Sequence, residues 1–228
     1  MPLSDAEVER YARQLLLPGW GKVPQDFVRV SRVQVVGGGP VAGPALAYLA
    51  AAGVGTILVD DAADAAAEDA AGWLWPPDRV GQPRSSVALE SLRGANRFAK
   101  VRLHATGADP TAALVCASGA TAREAAERAR TAGIPHVVAE GDGDGGSVVV
   151  VPPGAPCFAC AFRVGTGIPP PPATAAALGA LAAAELLMIL SGASLPMEGR
   201  RIELVRGHPQ SRPTTRQPGC ACGAPRVV

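Results

Sequence analysis

Residues 32–60 read RVQVVGGGPVAGPALAYLAAAGVGTILVD. The first five are a short β-branched run and form a predicted strand. It runs into Gly37-Gly38-Gly39, and residues 41–52 follow as a helix stopped by Gly53. Residues 56–59 are a second strand, closed by Asp60. Strand, glycine turn, helix and strand within about thirty residues make a βαβ unit of the dinucleotide-binding kind. In Gly37-x-Gly39-x-x-Ala42 the first glycine permits the tight turn and the second lets a phosphate approach the backbone. The small Ala42 lets helix and strand pack, and Asp60 can accept bonds from ribose hydroxyls. Gly37, Gly39, Ala42 and Asp60 are thus the candidate nucleotide-binding residues. A turn of the same shape that no longer holds a nucleotide would read the same way.

On the N-terminal side, Ser4-Asp5-Ala6-Glu7 has the capping-box form, so a helix runs to about residue 16 and ends at Pro18-Gly19. Lys22 falls in the loop after it. On the C-terminal side, the acidic run at residues 60–69 reads as a solvated loop, followed by the bulky Trp73 and Trp75. A helix is expected at residues 85–98, strands at 100–104 and 112–117, a helix at 121–131 and a strand at 135–139. Residues 141–146 read as a mobile loop and 147–151 as a strand; a polyproline connector spans 169–172. A helix at about 174–190 and a strand at 201–205 complete the regular structure, and the Pro- and Arg-rich tail from Gly207 is expected to be irregular. This alternation predicts an α/β fold with a Rossmann-like, doubly wound, mostly parallel sheet.

The 228 residues suit one domain: a helical segment at 1–30, a Rossmann half at 31–140, and a C-terminal half with the tail at 141–228. With 21 basic and 20 acidic residues, the net charge of +1 gives no footprint for nucleic acid or an anionic membrane. The alanine-rich run at 174–190 contains Glu185 and reads as a buried helix rather than a membrane span. The start MPLSDAEVERYARQ is charged and amphipathic rather than leader-like, so the expected compartment is the cytoplasm. There, Cys157-x-x-Cys160 and Cys220-x-Cys222 read as metal ligands: a structural four-cysteine zinc site clipping the tail to the body. Free or oxidised thiols are the other reading. Cys116 stands alone and reads as a small core hydrophobe.

Several stretches together resemble the ThiF/MoeB family, bacterial relatives of ubiquitin-activating enzymes. They are Leu3-Ser4-x-x-Glu7-x-x-Arg10-Tyr11-x-Arg13-Gln14-Leu15-Leu16-Leu17-Pro18-Gly19, Ser31-Arg32-Val33-x-Val35-Val36-Gly37 and Tyr48-Leu49-Ala50-Ala51-Ala52-Gly53-Val54-Gly55-Thr56-Ile57. Val80-Gly81-Gln82-Pro83, Pro153-Gly154-x-Pro156-Cys157-x-x-Cys160 and Pro218-Gly219-Cys220-x-Cys222-Gly223 extend the likeness over nearly the whole chain. The resemblance implies a dimer that uses ATP and Mg to adenylate the C-terminal glycine of a small ubiquitin-like sulfur carrier, often around a structural zinc. It also implies that Arg13 reaches the phosphates bound by the neighbouring subunit, and that Arg84 stands where the family has a phosphate-binding lysine.

Other positions depart from that pattern. Pro40 removes one backbone donor from the turn. The family's Asn-x-x-Arg falls on Glu68 and Ala71, and its Mg-binding aspartate on Ser118. The connector at 163–172 has no cysteine to carry a thioester or persulfide. Adenylation depends on positioning and electrostatic stabilisation of phosphates. The expected function is therefore a weak or non-catalytic relative: a homodimer, a partner subunit in a heterodimer with an active homologue, or a scaffold for a ubiquitin-like or peptide tail. The alternatives are an active adenylyltransferase with altered phosphate contacts and a pocket reused for another small ligand near Asp60.

Overall fold

The computed structural model describes residues 2–72, 74–105, 107–162, 168–192 and 198–223. The chain opens with α1 (Asp5–Leu15), whose capping box forms: the Ser4 amide donates to Glu7 Oε2 at 2.8 Å and the Glu7 amide to Ser4 Oγ at 3.4 Å. A second helix, α2 (Lys22–Val30), replaces the expected loop around Lys22. Pro24 lies in its first turn, where a missing amide costs little. The fully buried Gln25 accepts from the Trp20 indole at 2.9 Å and donates to the Ala52 carbonyl at 2.9 Å, tying α2 to the next unit.

That unit is β1 (Arg32–Val36), α3 (Gly39–Ala52) and β2 (Thr56–Asp60). Gly53 closes α3 at φ 90°, in the left-handed region a Cβ would strain, and the Tyr11 ring packs directly on it. A short 3-10 turn at Ala67–Gly72 follows, then α4 (Arg84–Leu92), β3 (Lys100–Leu103), β4 (Ala112–Val115) and α5 (Gly119–Thr131). The helix expected at 85–98 stops earlier. Arg93 turns extended, and Asn96 donates instead to Tyr11 Oη and the Ala50 carbonyl, at 2.9 and 2.8 Å.

Next come β5 (His136–Asp142), β6 (Gly145–Val151), α6 (Phe158–Ala161), α7 (Pro172–Leu190), β7 (Arg200–Val205) and β8 (His208–Pro213). Two expectations fail here. Residues 141–146 are not a loop but the tip of the β5–β6 hairpin, in which Asp142 pairs with Gly145. The tail from Gly207 is not wholly irregular either: Arg206 and Gly207, at φ 48° and 79°, make the two-residue turn that folds β8 back onto β7. Pro209 and Pro213 are tolerated because β8 is an edge strand with one unpaired side.

Among the described residues eight strands form one sheet in the order β3-β2-β1-β4-β5-β6-β7-β8. The first four pairings are parallel and the last three antiparallel. One core joins the sheet to α3, α4 and α7; the other lies under α5 and α6. The sheet is thus covered on both faces, the doubly wound, mostly parallel architecture. Gly179 lets α7 ride directly on the Val41 carbonyl of α3. By length and composition α7 would pass for a membrane span. It buries Leu178, Ala182 and Leu186, while Leu187, Met188 and Ile189 are half-buried rather than enclosed.

Candidate functional site

The chain leaves β1 toward β2 and β3, then returns to β4 on the other side of β1. That reversal opens a crevice between the carboxyl ends of β1 and β4, where doubly wound sheets bind ligands. Gly37 and Gly39, at φ 87° and 82°, form the turn on its β1 side. A Cβ at Gly37 would lie 2.6 Å from the Cys116 carbonyl, so only glycine lets the two strand ends come together. Ala42 is fully buried between helix and sheet. Asp60 sits at the end of β2, with Oδ2 accepting from Gln34 at 2.7 Å. The four candidate nucleotide-binding residues are therefore brought together as their spacing implies.

The turn's surroundings differ from expectation. The acidic run is solvated only in part: Asp64 and Glu68 are exposed, whereas the side chains of Asp61 and Asp69 turn inward. Asp69 is fully buried and holds Arg84 through two bonds, Nε to Oδ2 at 2.6 Å and Nη2 to Oδ1 at 3.0 Å. The side chain of Asp61 is 8% exposed, with Arg84 Nη1 3.8 Å from its Oδ2. That oxygen is buried and has no hydrogen-bond partner among the described residues. Burial pushes the Asp61 carboxyl above its ordinary range, against the Ala63 amide and Arg84, which pull it down. Both acids pack on the glycines: Asp61 and the Arg84 stem fill the space a Gly38 side chain would take, and Asp69 Oδ1 borders Gly39 at 3.1 Å from a Cβ built there. The indole of the buried Trp75 donates to the Arg84 carbonyl at 2.9 Å.

Glu68, which the family resemblance singled out, is exposed. Sequence reasoning missed Asp61 and Asp69 because an acid among alanines carries no periodic signal of burial. Arg13 is exposed in the last turn of α1, beside the exposed Leu16 and Leu17. Trp73 lies outside the described residues, as do residues 163–167 of the connector.

Across β4 from the glycine turn lies a cavity of about 650 Å³. Ser118, Glu140, Asp142, Asp144, Arg123, Arg201 and Glu203 are among its polar lining, and Phe162 and Leu204 supply part of its apolar wall. Ser118 is exposed at the amino end of α5. Glu140 accepts from the Gly119 amide at 3.3 Å. Burial raises its pKa, opposed by that amide and by Arg201 and Arg123. The Arg123 guanidinium lies over the Phe162 ring at 5.1 Å. Cys116 borders the cavity but is buried, which pushes its thiol up to about 12. It is inert packing rather than a nucleophile.

The cysteine pairs converge. Cys157 and Cys160 flank the start of α6, with Sγ atoms 3.9 Å apart. Cys220 comes to 3.6 Å from Cys157, and Cys222 to 3.6 Å from Cys160. Each residue of the short Cys-x-Cys pair meets a different partner, which overcomes the missing spacer. All four sulfurs lie within 4.8 Å of one another, a group that could hold a metal ion.

The model of the ThiF family matches residues 11–222. The heterocyst protein HesA of Trichormus variabilis is 31% identical over 218 residues, spanning 86% of this chain and 80% of that protein. The adenylyltransferase and sulfurtransferase uba4 of Pyricularia oryzae is 39% identical over 119 residues, which are 52% of this chain and 24% of that longer protein. Among solved structures, E. coli MccB with ATP superposes with a TM-score of 0.82 at 19% identity, over 96% of this chain and 75% of that one, a likeness of fold.

Proposed function

The chain belongs to the ThiF family, and from that premise we propose that it binds the C-terminal segment of a ubiquitin-like sulfur carrier or a peptide as a partner subunit or scaffold, with little or no adenylating activity of its own. The observation that carries this reading is the contrast at the end of β4. Where the family resemblance puts a Mg-binding carboxylate stands the exposed Ser118, yet the cavity beside it is open and of ligand size. Glu140, beside it, is already held by an amide at the amino end of α5 and faced by two arginines, a poor setting for a cation, and of the other acids lining the cavity, Asp142, Asp144 and Glu203, Asp144 pairs with Arg206 and Glu203 with Arg201. In this reading Ser118 and Glu140 do not fit Mg-bound ATP.

The four cysteines do fit zinc. A tetrahedron with Zn–S of about 2.3 Å has sulfurs about 3.8 Å apart, and the close pairs measure 3.6, 3.6 and 3.9 Å. In this reading zinc is structural. It pins the end of the described chain to α6, which Gln217 also reaches through the Cys160 carbonyl at 3.1 Å.

Assembly follows from the surface of α1 and α2. Leu16, Leu17, Val23, Phe27 and Val30 are all more than half exposed, a density of apolar side chains that marks a protein interface. A homodimer, or a heterodimer with an active homologue, would cover them and place Arg13 at the seam. The retained Gly37, Gly39 and Asp60 favour the second reading, an active adenylyltransferase acting on a sulfur carrier. ATP–pyrophosphate exchange with Mg, with ATP titrated calorimetrically, separates the two: neither exchange nor millimolar binding is expected, and tight binding with exchange overturns the non-catalytic reading.

A further inference from the structure

Glycines at a strand-to-helix turn leave room for a phosphate to reach the backbone at the helix terminus. Here that room is taken. Asp61 and the Arg84 stem occupy the space over Gly38, and Asp69 borders Gly39. Arg84, the cation of the group, is held by Asp69 through two bonds, at 2.6 and 3.0 Å. Asp61 is the more weakly paired acid: Arg84 Nη1 stays 3.8 Å from its Oδ2, which has no hydrogen-bond partner among the described residues and faces the turn, and its side chain is about nine-tenths buried. Two carboxylates against one guanidinium leave the locus net negative, and Asp60 adds a third acid at the adjoining strand end. An arriving polyphosphate would meet like charge at short range and an arginine already held through two of its five N–H donors.

We propose that Asp61 and Asp69 are specificity determinants of the glycine turn: with Arg84 they form a carboxylate latch that takes the phosphate position and excludes nucleotide phosphates from it. This rests on the reading that the chain's own ATP chemistry is weak, and it supplies a cause independent of Ser118. Neutralising the two acids frees Arg84 and removes the repulsion without enlarging the side chains. Phosphate affinity then rises, while anything bound through base and ribose alone is left unchanged.

The test is calorimetric titration of the full-length, metal-loaded protein with ATP, inorganic pyrophosphate and adenosine, for wild type and for D61N/D69N. The double variant should bind ATP and pyrophosphate at least tenfold more tightly than wild type, with the adenosine response the same in both. Asp61→Asn alone keeps the Oδ1 acceptor for the Ala63 amide, 2.8 Å away, and so preserves the local turn if the double variant folds poorly. It should give at least a threefold gain. An ATP affinity that does not rise in either variant, or equal gains for ATP and adenosine, overturns the latch even if the wild type proves inactive. Pyrophosphate exchange by the wild type overturns the non-catalytic reading instead, and leaves the latch to be judged on the variants.

Discussion

The two sides of the β1–β4 crevice end on the same sheet, yet they treat charge in opposite ways. On the β1 side three ionisable groups close on one another over the glycine turn and take the space a Gly38 side chain would fill. On the β4 side acids and arginines stand around a cavity of about 650 Å³ and leave it open. A strand-glycine-helix turn is therefore no evidence of a phosphate site by itself; what its neighbours do with the room decides. In this chain, side chains pack against the glycine turn, and the cavity beside Ser118 stays open.

The largest way to disturb this contrast is through the cysteines, because the open side is walled by elements they pin. Arg201, on the cavity wall, donates to the Ala161 carbonyl of α6 at 2.9 Å, and α6 carries two of the four sulfurs at its start. Loss of a structural metal belongs to the mechanisms that cost more than about 4 kcal/mol, so C157S/C160S should lower the melting temperature by roughly 10 °C or more. Metal analysis of the wild type should return one zinc per chain. Under chelation, amide exchange should rise first at residues 217–223 and the cavity wall, with the glycine turn still protected. Simultaneous loss of protection on both sides would show that the two are not separate units.

Next in size is the latch as a structural element. Removing one partner of a buried ion pair costs about 3 kcal/mol. Asp69→Ala leaves Arg84 without its two-bond partner and removes the acceptor of the Ala66 amide, 2.8 Å away. A fall of roughly 6–12 °C in melting temperature is expected, with Asp69→Asn losing less. The open side answers to a different probe. Ser118→Trp at the cavity mouth should weaken binding of a glycine-terminated carrier peptide at least tenfold, or about 1.4 kcal/mol, with melting within about a degree or two of wild type. Undiminished peptide binding would place the tail elsewhere.

How much of this was legible in the sequence depended on whether a feature is local. Residues 32–60 could be read because strand, glycine turn, helix and acid follow within one unit. The cysteine cluster could be read because spacing restricts what such pairs do, although only the structure shows how the shorter pair closes. α2 was missed because nine residues carrying an internal Pro24 look like a loop until Gln25 finds its partners on Trp20 and Ala52. β8 was missed because two prolines argue against a strand, and only its edge position permits them. The latch was invisible for a stronger reason. Burial of Asp69 depends on an arginine fifteen positions away and on Trp75 holding that arginine's backbone, and no local pattern encodes such a meeting.

The smallest effect sharpens the comparison most, because it isolates the more weakly paired acid at the glycine turn. Burial raises the Asp61 pKa above its ordinary 3.8, so the folded state favours the protonated form. The stability this acid contributes is fully present below the unfolded value and is lost as pH rises through the higher folded value. At pH 7 the ionised, buried carboxylate is a cost that an asparagine does not carry. D61N should therefore melt above wild type at pH 7, by roughly 1–3 °C, and the gap should close as the pH is lowered toward 3.8 and below. Melting curves of the two proteins between pH 3.5 and 7.5 (roughly the window that linkage makes informative) check both the sign and the window. A wild type more stable than D61N at pH 7 would mean that Arg84 at 3.8 Å outweighs desolvation, making Asp61 a full partner of the pair and not its surplus charge.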